Sequence, residues 1–231
     1  VARITFDDVS LTLDGRQVFG PASLVLAERR IGVIGQNGAG KSSFLRLMAG
    51  LVKPDSGQVR LGDSDVYTDR KAVLAGIGVI FQNPDHQILF PTVAEEIAFG
   101  LTQLGASKAE AHARALRVLA EQNRADWADR QCYTLSGGQR HFLCLMAVLA
   151  MEPDVILLDE PYAGLDIPTS AQLHRQLDGL AQSLVMITHD PALLADYDRV
   201  IWIDGGRVES DGAPAEVLPG FISEMEHRGA C

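Results

Sequence analysis

Two glycine-rich stretches and one acidic strand end carry the chemistry of this chain. Gly35-Gln36-Asn37-Gly38-Ala39-Gly40-Lys41-Ser42 fits the pattern GxxxxGK[ST], in which glycine N–H groups wrap phosphate oxygens and the lysine adds a point charge. Ser42-Ser43 opens a helical stretch to Ala49, and the positive end of such a helix favours the same anion. The Ser42 hydroxyl suits a Mg2+ ion at those phosphates. Val155–Leu158 is an apolar strand running into Asp159-Glu160. Asp159 is placed to hold the ion, and Glu160 to polarise an attacking water as general base or positioning acceptor. Far from the first loop lies Leu135-Ser136-Gly137-Gly138-Gln139. Ser136 and the amides of Gly137 and Gly138 open the helical stretch Gln139–Ala150, a second anion site by the same helix-end argument.

Five apolar runs, Ile31–Ile34, Ile77–Phe81, Val155–Leu158, Leu184–Thr188 and Val200–Ile203, must position these groups. Near-continuous apolar strands belong in a sheet buried on both faces, usually parallel. With helical stretches between several of them, the fold class is α/β. Arg3–Leu13 alternates more and, with Gly57–Leu61, is expected to form a small antiparallel sheet beside the parallel one. From residue 83 to 140 the strand signals vanish. Thr92/Glu95 and Ser107/Glu110 fit capping boxes ahead of Glu96–Leu104 and Ala111–Gln122, so the segment reads as an inserted helical subdomain. The division expected is residues 1–82 and 141–212 as α/β core, 83–140 as insert, and 213–231 as a short tail with little core material.

The chain has 231 residues, an apolar fraction of 47% and a net charge of −10. The length suits one large domain. The longest apolar run, Phe142–Met151, reads as a buried helix, since a membrane span needs roughly 18 to 20 apolar residues. No basic-then-apolar leader is evident, so the chain reads as soluble, with any membrane role exercised through partners. The acidic charge argues against a nucleic-acid partner, whose phosphates call for a basic surface. Cys132, Cys144 and Cys231 show no metal-ligand spacing and read as reduced cytoplasmic thiols.

The loop, the LSGGQ stretch and the acidic strand end together resemble the nucleotide-binding subunits of ATP-binding cassette (ABC) systems, over roughly residues 3–212. The resemblance implies a P-loop NTPase (RecA-like) core, ATP as substrate and Mg2+ as its ion. It makes Gln82 the Q-loop glutamine, touching Mg2+ or the attacking water, and His189 the switch histidine at the γ-phosphate. Ser136–Gln139 would then meet ATP held by the opposite subunit, with Asp166 of Ala163-Gly164-Leu165-Asp166 in the loop that couples paired sites. Two chains would sandwich two ATP molecules head to tail.

Gln82-Asn83-Pro84-Asp85-His86-Gln87 and Phe90–Gly100 are similar to the ATPases of energy-coupling factor (ECF) importers of vitamins and transition-metal ions. That likeness implies a membrane scaffold (T-type) subunit whose arginine-bearing helix enters a groove beside the helix after Gln82, and a small substrate-binding membrane subunit. The ATPase would lie at the cytoplasmic face of the membrane as a peripheral subunit. Asp85 is a plausible partner for that arginine, with a helix cap after Pro84 as the plainer role; the two can coexist. A homodimeric module is preferred, biotin ahead of cobalt/nickel. A conventional binding-protein-dependent importer and a soluble non-transport ABC ATPase are the alternatives. Three positions depart from the family pattern. Leu13 replaces an aromatic that stacks on adenine, with Phe19 a substitute, such stacking being worth about 1–3 kcal/mol in nucleic-acid systems. Arg140-His141-Phe142 follows LSGGQ, and Tyr162 follows Asp-Glu-Pro where Thr or Ser is usual.

Overall fold

The computed structural model describes residues 3–229. In chain order the elements are β1 (Ile4–Leu13), β2 (Arg16–Leu26), β3 (Arg30–Ile34), α1 (Lys41–Met48), β4 (Ser56–Leu61), β5 (Ser64–Asp65), α2 (Arg70–Gly76) and β6 (Ile77–Ile80). Then come α3 (Val93–Gln103), α4 (Lys108–Glu121), α5 (Gly137–Ala150), β7 (Val155–Asp159), α6 (Ile167–Asp178), β8 (Ser183–Thr188), β9 (Arg199–Asp204), β10 (Arg207–Gly212) and α7 (Pro214–Gly229). The α/β class and the expected core strands are present.

The six-stranded sheet has the order β10-β9-β3-β8-β7-β6. The five strands from β9 to β6 run parallel, and β10 turns back antiparallel at the edge. Ile34 pairs with Thr188 and Asp159 with Ile187, so β3, β7 and β8 end at one level. Their following loops share one edge of the sheet, the place where open α/β sheets bind ligands. β8 is buried at every position because both faces are covered.

β1 and β4 form the expected antiparallel sheet, in the order β2-β1-β4-β5. β2 gave no apolar run to read. It carries Gly20-Pro21 and lies at the sheet edge, the position where a proline is tolerated within a strand. Phe6, Phe19 and Phe44 meet between this sheet and α1, with centroids 4.8 Å apart for Phe6–Phe44 and 5.0 Å for Phe19–Phe44. Phe19 is therefore sealed in the core, which corrects the expectation that it could stack on a base.

In the helical insert, both capping boxes form, at Thr92/Glu95 and Ser107/Glu110. Ile97, Leu119, Trp127 and Leu143 build its own small core. Burial pushes the Cys132 thiol to about 11 and the Cys144 thiol to about 12, so both stay protonated and inert; Cys231 lies outside the described residues. α5 begins in the insert and ends under the large sheet, its Leu145 and Val148 packing with Ile156 and Leu158.

The segment expected to be a tail with little core material is helix α7. Val217, Leu218 and Phe221 are buried, and Phe221 meets Trp202 edge to face with centroids 5.7 Å apart. Gly212-Ala213-Pro214 leads into this helix, since proline suits the first helical turn.

Because Phe44 joins the antiparallel sheet to the first helix, Phe44→Ala is expected to lower stability by about 3–5 kcal/mol. Urea unfolding followed by circular dichroism measures it, and a loss under about 1 kcal/mol would contradict this packing account.

Candidate nucleotide site

The loop between β3 and α1 is shaped by two glycines. A Cβ on Gly35 would lie 2.2 Å from the Ile203 carbonyl oxygen, and one on Gly40, at φ +108°, 2.5 Å from that of Val18. No other residue fits either place. The loop is also pinned from outside. The Gly206 N–H donates to the Ala39 carbonyl at 2.8 Å, and the Gly20 N–H to the Gly206 carbonyl at 2.7 Å. Lys41 is 6% exposed. Its Nζ curls over the loop and donates to the carbonyls of Gly35 at 2.7 Å and Gln36 at 3.0 Å. Burial lowers the lysine's pKa, against the opposing pull of the Glu160 and Asp159 charges.

Those two carboxylates close the other side. Burial and the neighbouring Glu160 charge raise the Asp159 pKa, while a hydrogen bond from the Ser42 hydroxyl and the charges of Lys41 and Arg46 work the other way. Glu160 sits at φ +48°, an uncommon conformation for a non-glycine residue. Its N–H donates to the Ile187 carbonyl at 2.9 Å, which ties the strained residue to β8. Backbone strain of this kind persists only where surroundings over-determine it. His189 Nδ1 lies 3.0 Å from both Glu160 carboxylate oxygens. The histidine is 67% exposed against 13% for the glutamate, so its ring reaches in from solvent.

A cavity of about 290 Å3 is lined by Asn37, Gly38, Gly40, Lys41, Ser42, Ser43, Gln82, Asp159, Glu160 and His189, with Val18 beside them. Gly35, Gln36 and Ala39 shape the loop from behind. Ser136, Gly137, Gly138, Gln139 and Asp166 are not among the lining residues. Ser136 caps α5 in a third capping box with Gln139. Asp166 caps α6, accepting the Thr169 N–H at 2.9 Å, and its hydrogen bonds to Thr169 lower its pKa. An open cleft of about 910 Å3 separates the two sets, with Ser42 and Asp159 on one wall and Gly137, Arg140 and His141 on the other.

Asp85 stands in this cleft, paired with Arg140 Nε at 2.7 Å. The cap of its short turn is Asn83, whose side chain accepts the Asp85 N–H at 2.9 Å, so the cap reading of Asp85 is corrected. Arg140 and His141 are contact residues that sequence reasoning left without a role; their position directly after LSGGQ was the available signal. Tyr162 packs in the lower core and its hydroxyl meets His174 Nδ1 at 3.2 Å. Burial pushes that hydroxyl's pKa up, so it stays a neutral hydrogen-bonding group. Leu13 is partly exposed and aliphatic.

The family model described as ABC transporter matches residues 23–163, more than half of the chain. The biotin transport ATP-binding protein BioM of Rhodobacter capsulatus is 54% identical over 231 residues, covering 99% of each chain. The cobalt import ATP-binding protein CbiO of the same organism is 41% identical over 195 residues, 81% of this chain and 70% of its own. Among solved structures, cbiO1 from Clostridium perfringens, part of the ABC transporter complex cbiONQ, superposes with a TM-score of 0.80 at 26% identity, over 94% of this chain and 90% of its own. A dimeric ATP-binding cassette in a post-hydrolysis state with ADP and phosphate superposes with a TM-score of 0.79 at 25% identity, over 91% of this chain and 98% of its own. Loop, acidic strand end and full-length likeness agree: this chain belongs to the ABC transporter family, as one of its ATP-hydrolysing cassettes.

Proposed function

We propose that this chain powers an ECF-type importer of a vitamin, biotin first and a transition-metal ion such as cobalt or nickel second, as a head-to-tail homodimer. The observation that carries the reading is the 54% identity to a biotin transport ATP-binding protein across 99% of both chains. The structurally similar cbiO1 of a cbiONQ complex supports the ECF branch.

ATP phosphates fit the loop that Gly35 and Gly40 shape, and Lys41 has two carbonyl bonds that a phosphate oxygen can replace. Mg2+ fits too, because Ser42, Asp159 and Gln82 converge as oxygen donors on one cavity. When bound, that ion offsets charge on the β- and γ-phosphates. Glu160 then accepts a proton from the attacking water or orients it, and His189, already held by Glu160, reaches the γ-phosphate from its other edge. Ser136 to Gln139 stand outside this chain's own phosphate cavity, which supports their serving a partner's nucleotide, with Asp166 at the joint between sites. ATP closes the pair because those contacts exist only in the closed form.

No helix among the described residues is long and apolar enough to cross a membrane, so peripheral attachment through a scaffold subunit fits. An apolar groove of about 580 Å3 runs between α3 and the β6 edge, lined by Leu89, Phe99 and Met151. Glu96 lies at its floor and accepts the N–H groups of Leu89 and Phe90, both at 2.8 Å; burial raises its pKa. A coupling helix of the scaffold would lie here, and its arginine would compete with Arg140 for Asp85.

Purification of the tagged chain from native membranes in mild detergent tests the partner reading. A scaffold subunit with a small biotin-binding membrane protein is expected; a conventional permease pair would overturn it. Glu160→Gln is expected to reduce turnover by about a hundredfold or more while trapping ATP in a closed dimer or assembled transporter, read by light scattering and retained nucleotide. Loss of turnover without trapping would refute the closing step.

The raised pKa of Asp159 sets a pH dependence. In the folded chain the ionised form is disfavoured, so it opposes stability above the raised value and the penalty fades as pH falls. Protons then compete with Mg2+, whose half-saturation concentration should rise by about tenfold per unit of pH below that value. Asp159→Asn should flatten this profile, measured by Mg2+ titration with ATP bound.

A further inference from the structure

Two motifs that face phosphates are joined at their backbones by one buried ring. His141 is 7% exposed. Its Nδ1 lies 3.1 Å from the Gly137 carbonyl oxygen and its Nε2 3.3 Å from that of Gln82. A carbonyl oxygen only accepts and a neutral imidazole carries one N–H, so the contact that crosses the cleft is the Nε2–H tautomer donating to Gln82, while Gly137 is on the ring's own helix. The Gln82 side chain lines the phosphate cavity, while its own carbonyl is held from the first turn of α5. Arg140 makes a parallel tie one residue earlier. Its guanidinium makes an ion pair with Asp85, Nε to carboxylate oxygen 2.7 Å and off the line of a hydrogen bond, and its Nη1 donates to the Leu135 carbonyl at 2.6 Å. The segment 82–85 is thus strapped at two points to the turn that carries Ser136, Gly137 and Gly138.

We propose that His141 is a positioning residue that makes the Gln82 loop and the Ser136–Gln139 turn move as one body, with the Arg140–Asp85 pair as the second strap. A phosphate or Mg2+ that draws Gln82 toward the P-loop then carries Gly137 across the cleft in the same chain. An aliphatic or phenyl side chain would fill the space without holding the carbonyl. A glutamine has an N–H to offer it. In the head-to-tail dimer, a consequence that rests on the reading above, the strap passes occupancy of one ATP site to the turn that closes on the other. The strap itself does not need the dimer.

Hydrogen exchange read by mass spectrometry tests the strap directly, using the full chain with Mg2+ and a non-hydrolysable ATP analogue. Protein is kept at concentrations where light scattering shows single chains, so that burial against a partner cannot mimic the effect. Wild type should slow exchange at residues 36–44, 82–86 and 135–141 on nucleotide binding. H141F should keep the protection at 36–44 and lose that at 135–141 by about five-fold, the change one hydrogen bond sets. H141Q should recover it. Steady-state hydrolysis should show the matching split, with kcat down about five-fold or more and KM within about two-fold for H141F, and recovery in H141Q.

The proposal falls if H141F keeps both the protection at 135–141 and kcat, if it loses protection at 36–44 in equal measure, or if wild type shows no nucleotide effect at 135–141. Should H141F not fold, D85N cuts the second strap at a half-exposed side chain and must weaken the protection at 135–141; no change there overturns the proposal. If scattering finds no closed dimer at any concentration while the single-chain protection follows the ring, the dimer reading fails and the strap stands.

Discussion

Everything at the nucleotide site depends on one constraint, the common level at which three buried parallel strands stop. The pairing of Ile34 with Thr188 and of Asp159 with Ile187 is set by backbone hydrogen bonds in a sheet covered on both faces. A one-residue slip in β7 would turn every side chain of that strand to the opposite face. It would carry Asp159 away from Ser42 and break the bond that holds Glu160 against Ile187. Burial makes such a slip prohibitive, because Ile156, Leu157 and Leu158 have no accessible surface on either side. The hydrophobic register of the core is therefore what fixes the spacing of the charges at its edge.

Those charges are held in tension. Lys41, Asp159 and Glu160 are brought together with little water, so burial disfavours the ion of Lys41 and of Asp159 alike, and the opposite charges only partly offset it. A site of this kind is poised for a ligand that supplies both signs, phosphate for the lysine and a divalent ion for the carboxylate. Low effective dielectric makes each of these contacts stronger than it would be in water. Lys41 folds back on the Gly35 and Gln36 carbonyls because they are acceptors within reach of its N–H groups.

Much of this was legible in the residues. The phosphate loop, the acidic strand end and the core strands were all readable, because runs such as Val155–Leu158 are buried on both faces and carry no ambiguity of period. Both capping boxes in the insert were legible because they are local. β2 escaped because its pattern is broken by Gly20-Pro21 and its partners lie on β1, a long-range choice that composition does not show. α7 escaped because its apolar residues Val217, Leu218 and Phe221 make a helical face only once the start at Pro214 is known. His141 and the Asp85–Arg140 pair went unread for a different reason: their place beside LSGGQ and after Gln82 was visible, but the pairing spans a cleft between segments far apart in sequence.

Trp127 and Trp202 give the chain an unplanned optical property. One lies in the small core of the helical insert, flanked at 5.3 Å by the guanidinium groups of both Arg124 and Arg130. The other lies under α7, its ring edge to face with Phe221 at 5.7 Å. With only two tryptophans in the sequence, each half of the molecule carries a single indole, one beside two guanidinium groups and one beside a phenyl ring. A change at either ring therefore reports on its own half of the molecule: Trp127 on the insert and its arginine neighbours, Trp202 on the packing of α7 against β9.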